Sequence, residues 1–437
     1  MPRNILKIMP LLAFFMAAAL PGHAESPLTW EDCVREAAVA NPELEAARAA
    51  IRRSRNQVGA SRSDFFPTLT PFVGYNASNS SNFRTSPNPD NPGVDVNFVT
   101  RQQLELGINL DQNIFSGFQT KAGYDRSKSQ LTETEAAYQV TRADVSLDLK
   151  TAFARLLFYQ EQSFVVRRIV ERRKENVRFV ELRFEGGREN MGSVMRNRAL
   201  LEQAQYDLSQ TQRSLRVAQR ELAKVLGRRF EDSYENLHVK GGFQTHLPKA
   251  SPDFNTLVLN HPEHRMAEAQ TRTARADLRL AKGDLYPSVD ANASVSLDKL
   301  NNRGDNALWS AGVNITYPFF TGGRDIYELR GARAEQFRVR ENLRETDNQL
   351  ALRLKQAYAD FKNAVEAIRV QENFLKASEV RAEIGRSQYA NGLISYQDWD
   401  LVENDLINNQ RTILESGRDA LLAEAAWERA QGRGAIP

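Results

Sequence analysis

The stretch "NHPEH" contains two histidines, His261 and His264, which could suggest a pair of metal ligands. A zinc site needs three or four ligands, and no further histidine, cysteine or carboxylate cluster completes this one. The chemistry of a helix start explains the stretch better. Neither a phosphate-cradling glycine loop nor a nucleophile elbow occurs elsewhere. We therefore expect no enzyme activity, no catalytic residue, no metal and no cofactor.

Cys33 is the single cysteine of the 437 residues, so an intramolecular disulfide is impossible. It follows "TWED", which lacks the apolar and small residues of a lipoprotein processing site. We expect no lipid anchor there, and a half-buried thiol on a short amphipathic helix instead.

The first 24 residues have the pattern of a signal peptide. Arg3 and Lys7 precede an apolar run, and the small residues Gly22 and Ala24 suit cleavage before Glu25. A retained membrane anchor is the weaker alternative, because the run is too short. Removing Arg3 and Lys7 takes the formal net charge from +3 to +1. The nearly neutral mature chain is not expected to bind nucleic acid.

The chain is a tandem duplication, which fixes its architecture. Residues 42–69 align without gaps on 262–289, and from Gly107 onward each residue aligns on one 205 positions later. We therefore divide the chain into a first repeat, an inter-repeat equatorial segment and a second repeat, at residues 25–227, 228–255 and 256–437. Each repeat is expected to contain a helix, a β-hairpin and a long helical hairpin.

The two expected β-hairpins, 68–115 and 287–319, alternate between apolar and polar residues. From Val289 to Leu297 the odd positions are apolar and the even positions are polar. Such a period of two is typical of a strand between lipid and a wet lumen. A half-solvated sheet on a soluble core gives the same alternation.

Aromatic residues beside the strands favour the membrane interpretation. In a hairpin the strand entries and exits lie on the same side, so these aromatics form one level, as an interfacial girdle does. The polar segments 79–98 and 299–306 are expected to be exposed loops at the far side. Because four strands cannot close a membrane barrel and open edges are not tolerated in lipid, the chain must form an oligomer. The aromatics are Phe65, Phe66, Phe115, Tyr286, Phe319 and Phe320.

Two very long helices follow the hairpins, from about Lys121 to Phe184 and from Asp325 to Tyr389. About 65 residues at 1.5 Å each make a rod of roughly 100 Å. Each rod ends at a glycine turn, "FEGGRENMGS" or "YANGLIS", before a returning helix. A rod with a heptad seam must pack on neighbouring rods. The seam residues of the second rod are Leu350, Leu354, Ala357, Phe361, Ala364 and Ile368.

These features together resemble the TolC-like outer-membrane efflux proteins. The resemblance covers nearly the whole mature chain. It rests on the "NP" and "HP" openings of the first repeat helices, the strand entries "FFP" and "LYP", the strand exits "IFSGF" and "FFTGG", and the tip "YANGLIS". Each phrase is weak alone, but their duplication in order is specific.

The resemblance implies a mainly α fold with membrane β, in which each tandem-repeat protomer gives four barrel strands and long coiled-coil helices. A homotrimer would then form an α/β barrel, with twelve strands in outer-membrane lipid and helices extending into the periplasm. Its implied function is a passive exit duct of a tripartite efflux or type I secretion system. The implied partners are a periplasmic adaptor (membrane fusion) protein and an inner-membrane RND or ABC transporter.

The resemblance also implies roles for single residues at three places. The entrance or gate takes Tyr389, at the family's gate tyrosine, and Asp398, at its first ring aspartate. Asp400 precedes Leu401, which occupies the second ring position. The adaptor-contacting tips are Gly187, Gly192, Ser193, Gly392, Leu393 and Ser395. The barrel-to-helix transition, where small residues would allow a sharp change of direction, is Phe115, Gly117, Phe320, Gly322 and Gly323.

The sequence departs from the family at the gate, and two alternatives remain open, one for the aspartates and one for the whole protein. The family's gate arginine is replaced by Ile394, and its linking aspartate falls on Ser193 or Arg198. Asp398 and Asp400 could instead be solvated residues that favour a helix start. For the whole protein, a soluble periplasmic coiled-coil scaffold or adaptor without a pore would explain the rods, but not the aromatic-flanked strands.

Overall fold

The computed structural model describes residues 27–85, 94–231, 234, 236–245, 247–248, 251–300 and 303–437. The expected signal peptide, residues 1–24, lies outside them. In chain order the elements are α1 (Trp30–Ala40), α2 (Pro42–Ser63), β1 (Thr68–Thr85), β2 (Val94–Ser116), α3 (Gln119–Glu185), α4 (Met191–Leu226), α5 (Phe254–Asn260), α6 (Pro262–Gly283), β3 (Ser288–Leu300), β4 (Arg303–Thr316), α7 (Arg324–Ala390) and α8 (Tyr396–Ala430). The expected class, mainly α with a smaller β part, is confirmed.

The four strands form one antiparallel sheet in the order β1-β2-β3-β4. Its centre joins the two repeats, because β2 pairs with β3 and Ile108 lies opposite Val295. The register collects the apolar positions on one face, where Val73, Leu106 and Leu297 stand side by side. The other face carries a polar row that ends in a 2.8 Å contact between the Ser294 and Ser310 hydroxyls. The alternation in the sequence thus becomes a two-faced sheet.

The two hairpins lie at nearly the predicted positions, but their strands are longer and their loops shorter than the sequence predicted. β1 continues to Thr85 and β2 begins at Val94, so most of the loop expected at 79–98 is strand. Likewise, β3 ends at Leu300 and β4 begins at Arg303, inside the loop expected at 299–306. Backbone pairing continues through these polar segments because ladder hydrogen bonds need no apolar side chain once the register is set.

The helices α3 and α7 contain 67 residues each, which makes rods about 100 Å long. Their seams are buried against neighbouring helices, with Leu350, Leu354 and Phe361 on α7 and Leu149 and Leu156 on α3. No helix in the described ranges is long and apolar enough to cross a membrane.

Corresponding residues of the two repeats begin α2 and α6. The Asn41 side-chain oxygen accepts the Glu43 N–H at 2.9 Å, and His261 Nδ1 accepts the Glu263 N–H at 3.1 Å. Burial lowers the pKa of His261 to about 4. The neutral ring that results can accept through Nδ1, so this histidine is a helix cap.

A hydrophobic core lies near the start of α2, at the end of this helix that is farther from the sheet. Cys33 is fully buried in it, rather than half-buried as expected, because α1 packs on Leu149 and Leu222. An isolated parallel bridge joins Leu28 to Val239 in the segment between the repeats.

Candidate functional site at the helical tips

The two helical hairpins turn at equivalent places, at the end farthest from the sheet. Gly187 and Gly392, 205 residues apart, both have positive φ, 68° and 73°. Asn190 then caps α4 by accepting the Ser193 N–H at 3.0 Å. Ser395 caps α8 in a reciprocal box with Asp398. Turn and cap follow the same chemistry in both repeats, which brings four helix ends to one level.

An aromatic cluster fills the space between the two turns. Tyr389 and Trp399 stack with ring centroids 4.7 Å apart and an angle of 8°. Both side chains are almost completely buried, and Phe179, Val180 and Tyr396 complete the packing. This cluster holds α3 and α4 against α7 and α8 by apolar contact.

Three polar side chains bind the two tips together around Tyr389. Its hydroxyl donates to Glu189 Oε2 at 2.6 Å. From the same repeat as Glu189, Arg183 donates to the Tyr389 carbonyl at 2.9 Å and lies over its ring at 4.5 Å. Burial opposes ionisation of Glu189, but hydrogen bonds from Tyr389, Asn190 and Ser193 together lower its pKa. Burial and the Glu189 carboxylate raise the pKa of Tyr389. Glu189 therefore accepts as a carboxylate and Tyr389 donates as a neutral phenol.

A second set of contacts lies one to two turns along α8. Asp400 is 6% exposed and lies 2.8 Å from Arg196, and 4.0 Å from the buried Arg173. Glu403 is 1% exposed and accepts two hydrogen bonds from Arg172, at 2.7 and 2.9 Å. Burial lowers the pKa of Arg173 from its very high usual value. These α8 carboxylates are thus engaged by arginines of the first repeat.

The residues expected at the gate occupy different environments. Tyr389 is buried, Asp400 is paired, and Asp398 is exposed, where its carboxylate accepts from the Ser395 hydroxyl at 2.7 Å. Glu189 accepts the hydrogen bond of Tyr389. Of the positions aligned with the family's linking aspartate, Ser193 donates to Glu189 at 3.0 Å and Arg198 to Glu181 at 2.7 Å.

The expected tip residues gather at the same end. Ser193 is buried, whereas Gly187, Gly192, Gly392, Leu393 and Ser395 are exposed. Asn190, Ser193, Arg196, Tyr396 and Asp400 are among the residues lining a groove of about 470 Å³ between the starts of α4 and α8.

The junction of sheet and helices contains the other expected residues. Gly117, Gly322 and Gly323 have positive φ, and so does the non-glycine Phe118 at 69°. Phe115 and Phe118 meet edge to face at 5.2 Å, and Phe320 is highly exposed. A Cβ on Gly117 would stand 2.4 Å from the Gly283 carbonyl oxygen, so the backbones of the two repeats touch there.

The two histidines set aside above have separate roles. His261 caps α6, and His264 Nδ1 lies 2.7 Å from Asp347 Oδ1. Within the described ranges, no cluster of three histidine, cysteine or carboxylate side chains could hold a metal ion.

Sequence reasoning missed Glu189, Arg183, Arg196 and Trp399. In the sequence, Glu189 could have been noticed as the one carboxylate between Gly187 and Gly192. Nothing local marks the arginines, since their partners lie about 200 residues away.

Comparisons with known proteins agree with one another. The family model described as outer membrane efflux protein matches residues 33–228 and 255–433. The probable outer membrane lipoprotein SilC of Salmonella typhimurium is 23% identical over 398 residues, covering 87% of this chain and 81% of its own. The outer membrane efflux protein BepC of Brucella suis is 21% identical over 418 residues, covering 95% and 87%. The crystal structure of the Campylobacter jejuni CmeC outer membrane channel superimposes with a TM-score of 0.80 at 18% identity, covering 92% and 85%.

Proposed function

Because the chain belongs to the outer membrane efflux protein family and is an outer-membrane efflux channel, we propose that three copies form one exit duct. The periplasmic entrance of this duct is closed at the helical tips. The duct takes its cargo from an inner-membrane RND or ABC transporter through a periplasmic adaptor protein. The same arrangement would serve a type I secretion system.

The two-faced sheet is the observation that carries this proposal. Its apolar face is exposed along the strands, as at Val73, Ile108, Val295 and Val313. A soluble sheet buries such a face on a core, whereas a barrel strand turns it to lipid and its polar face to water.

The height of the apolar face fits a membrane. Two exposed aromatic residues mark the ends of the apolar face, Trp309 on β4 and Tyr317 just after it. They are eight residues, or about 26 Å, apart along the strand. A strand tilt of about 40° reduces this to roughly 20 Å, close to the apolar band of about 25 Å in such barrels. Tyr75 on β1 is also exposed, four residues beyond the row of paired residues that contains Trp309.

The sheet edges support an oligomer. In the described chain β1 and β4 each have one strand neighbour, so each has a free edge. Three sheets meeting edge to edge give twelve strands and leave no edge in lipid. Along its length α7 also exposes Tyr327, Phe337 and Phe374, which a neighbouring chain would cover.

The contacts at the tips supply a means of closure. Tyr389 with Glu189, and Asp400 with Arg196, fix the second-repeat hairpin to the first. Moving one hairpin away from the other breaks both contacts and widens the end of the tunnel. The exposed Asp398, repeated three times about the axis, would attract cations at that constriction. The exposed tip residues would meet the adaptor.

The experiment that tests this function combines conductance with mass. The protein purified in detergent is expected to be a trimer and to conduct ions across a planar lipid bilayer. A water-soluble monomer without conductance would contradict the duct and favour the periplasmic scaffold.

A further inference from the structure

A basic groove lies between α3 and α6, about two turns of helix below the sheet. It measures about 580 Å³. The lining contains four cationic side chains and one carboxylate. Its residues are Asp125, Lys128, Ser129, Thr132, Arg272, Arg275 and Arg279.

Two of the four cations have partners in the protein. Arg279 pairs with Asp125 at 3.0 Å, and Arg272 with Glu268 at 3.2 Å. Lys128 and Arg275 are exposed, and no carboxylate of the described ranges lies within 4.0 Å of their charged nitrogens. The groove therefore offers positive charge that the protein itself does not neutralise.

The groove opens on the side of the helices that faces away from the lumen. A separate cavity joins Thr120, Gly123 and Arg126 of α3 to Thr68 and Asn292 of the polar sheet face. At 100° per residue, the groove residues of α3 lie on the opposite side of the helix. On the same outer side, Phe118 packs with Phe115 and Tyr286 at the base of the apolar face.

The long basic side chains of the groove are close enough to the sheet to reach the head groups of the membrane. Arg275 lies eight residues before the end of α6 and Lys128 nine residues after the start of α3, so each is about 12–14 Å below the sheet. Between them and the sheet, Tyr124 packs on Phe65 at 6.0 Å, and the Lys128 nitrogen lies 5.8 Å from the Tyr124 ring centre. The head-group region extends about 5–7 Å beyond the hydrocarbon on each side. Lys128 and Arg275 can extend their charged ends toward it past the aromatic residues.

Neighbouring protomers would leave the groove open. It lies in the middle of the protomer, because α3 packs on α2 and α6 packs on α7. Chains that join through the edges of β1 and β4 meet at α2 and α7 instead.

We propose that this groove binds the phosphate of an anionic phospholipid in the periplasmic leaflet of the outer membrane, once per protomer. The inference rests on the proposed insertion of the sheet into that membrane. Arg275 offers a planar fork to two phosphate oxygens, and Lys128 adds a point charge above the aromatic ring. A zwitterionic head group brings its own cation and would gain less.

The test is native mass spectrometry of the trimer in a neutral detergent, titrated with phosphatidylglycerol or with phosphatidylcholine of the same acyl chains. The variant is Lys128→Gln/Arg275→Gln. The control, Arg142→Gln/Arg265→Gln, removes the same charge from the same two helices, about 15–20 Å farther from the sheet.

Wild type and control are expected to retain up to three phosphatidylglycerol molecules per trimer in preference to phosphatidylcholine. One cation near an anionic surface changes affinity about fivefold, so the variant should bind phosphatidylglycerol about 30-fold more weakly. Equal binding of the two lipids, or unchanged affinity in the variant, would overturn the proposal. Displacement of the lipid by millimolar inorganic phosphate would show a free-phosphate site instead.

Conductance separates this inference from the proposed function. Both variants should conduct as wild type does in phosphatidylcholine bilayers, since the lumen is unchanged. A failure of all three proteins to insert would contradict the duct, whatever lipid they bind.

Discussion

The hydroxyl of Tyr389 lies 2.6 Å from Oε2 of Glu189, so one hydrogen bond joins the tip of the second repeat to the tip of the first. Tyr389 is nearly fully buried, and the other oxygen of the Glu189 carboxylate, Oε1, accepts from the Asn190 N–H and the Ser193 hydroxyl. This contact ties together two hairpins that have no covalent connection at that end.

Replacing Tyr389 by Phe should destabilise the closed entrance. The change removes a hydrogen bond to a charged group while preserving the stack on Trp399, at a cost of about 1–2 kcal/mol per protomer. That shifts the closed-to-open equilibrium of each protomer about 5–30-fold, which is measured as an increase in open probability in planar bilayers. Tyr206→Phe, at an exposed position on α4, is the matched control. Equal open probability in both variants would show that this hydrogen bond does not hold the entrance.

Neutralising Asp400 should matter more than neutralising its partner. Asp400→Asn deprives the buried Arg173 of its nearest carboxylate, which we expect to cost about 2–3 kcal/mol. Arg196 is 58% exposed, and Arg196→Gln should cost at most about 1 kcal/mol. Thermal unfolding of the detergent-solubilised protein measures both. The reverse order would mean that Arg173 does not depend on Asp400.

Asp398 should act on ion selectivity through its charge. Asp398→Ala removes an exposed carboxylate together with a capping contact, and Ser395→Ala removes the cap but keeps the carboxylate. Both should lose about 1 kcal/mol of helix stability. Only Asp398→Ala should reduce cation selectivity, measured as the reversal potential in a salt gradient. If both variants keep the wild-type reversal potential, Asp398 does not line the constriction.

The sequence predicted the repeat, the two-faced strands and the rods, since each rests on a local period or on internal alignment. The predicted rod ends, Lys121 and Phe184, fall within two residues of the ends of α3. The inter-repeat contacts had no such signal. Glu189 and Arg196 lie 200 and 204 residues before their partners Tyr389 and Asp400, so no local pattern links them. The packing of α8 on α3 brings the two hairpins, and with them these residues, together.

The sequence also did not predict how far the strands continue into the loop of each hairpin. Alternation identifies a strand where one face is buried in lipid, but a polar segment above the membrane pairs without alternation, as Ser78 and Asn79 do on β1. Loop composition therefore predicted a turn where the ladder continues.

The two glycines at the junction should respond differently to alanine. Gly117→Ala adds a Cβ 2.4 Å from the Gly283 carbonyl oxygen at a φ of 59°, so the repeats must separate there. Gly322→Ala, at a φ of 70°, meets no atom within 4 Å and should cost about 1–2 kcal/mol of backbone strain alone. We expect a clear loss of folded oligomer for the first variant and near-normal yield for the second, measured by size-exclusion chromatography. Equal yields would contradict a close approach of the repeats.

Acid should weaken the fold through His261. Its folded pKa of about 4 lies below the ordinary value of about 6.5, because burial disfavours the charged ring. Between these values the unfolded chain binds more protons than the folded one, so stability falls as pH falls from about 6.5 to about 4. His261→Asn supplies the cap that Asn41 provides in the first repeat, without a titrating ring. The variant should therefore lose about 2 kcal/mol less than wild type between pH 7.5 and pH 5. The measurement is the free energy of unfolding at both pH values. His264→Asn is the control, because it removes the neighbouring histidine, which contacts Asp347, and leaves the cap intact. Parallel losses in wild type and His261→Asn would show that His261 does not supply the acid sensitivity.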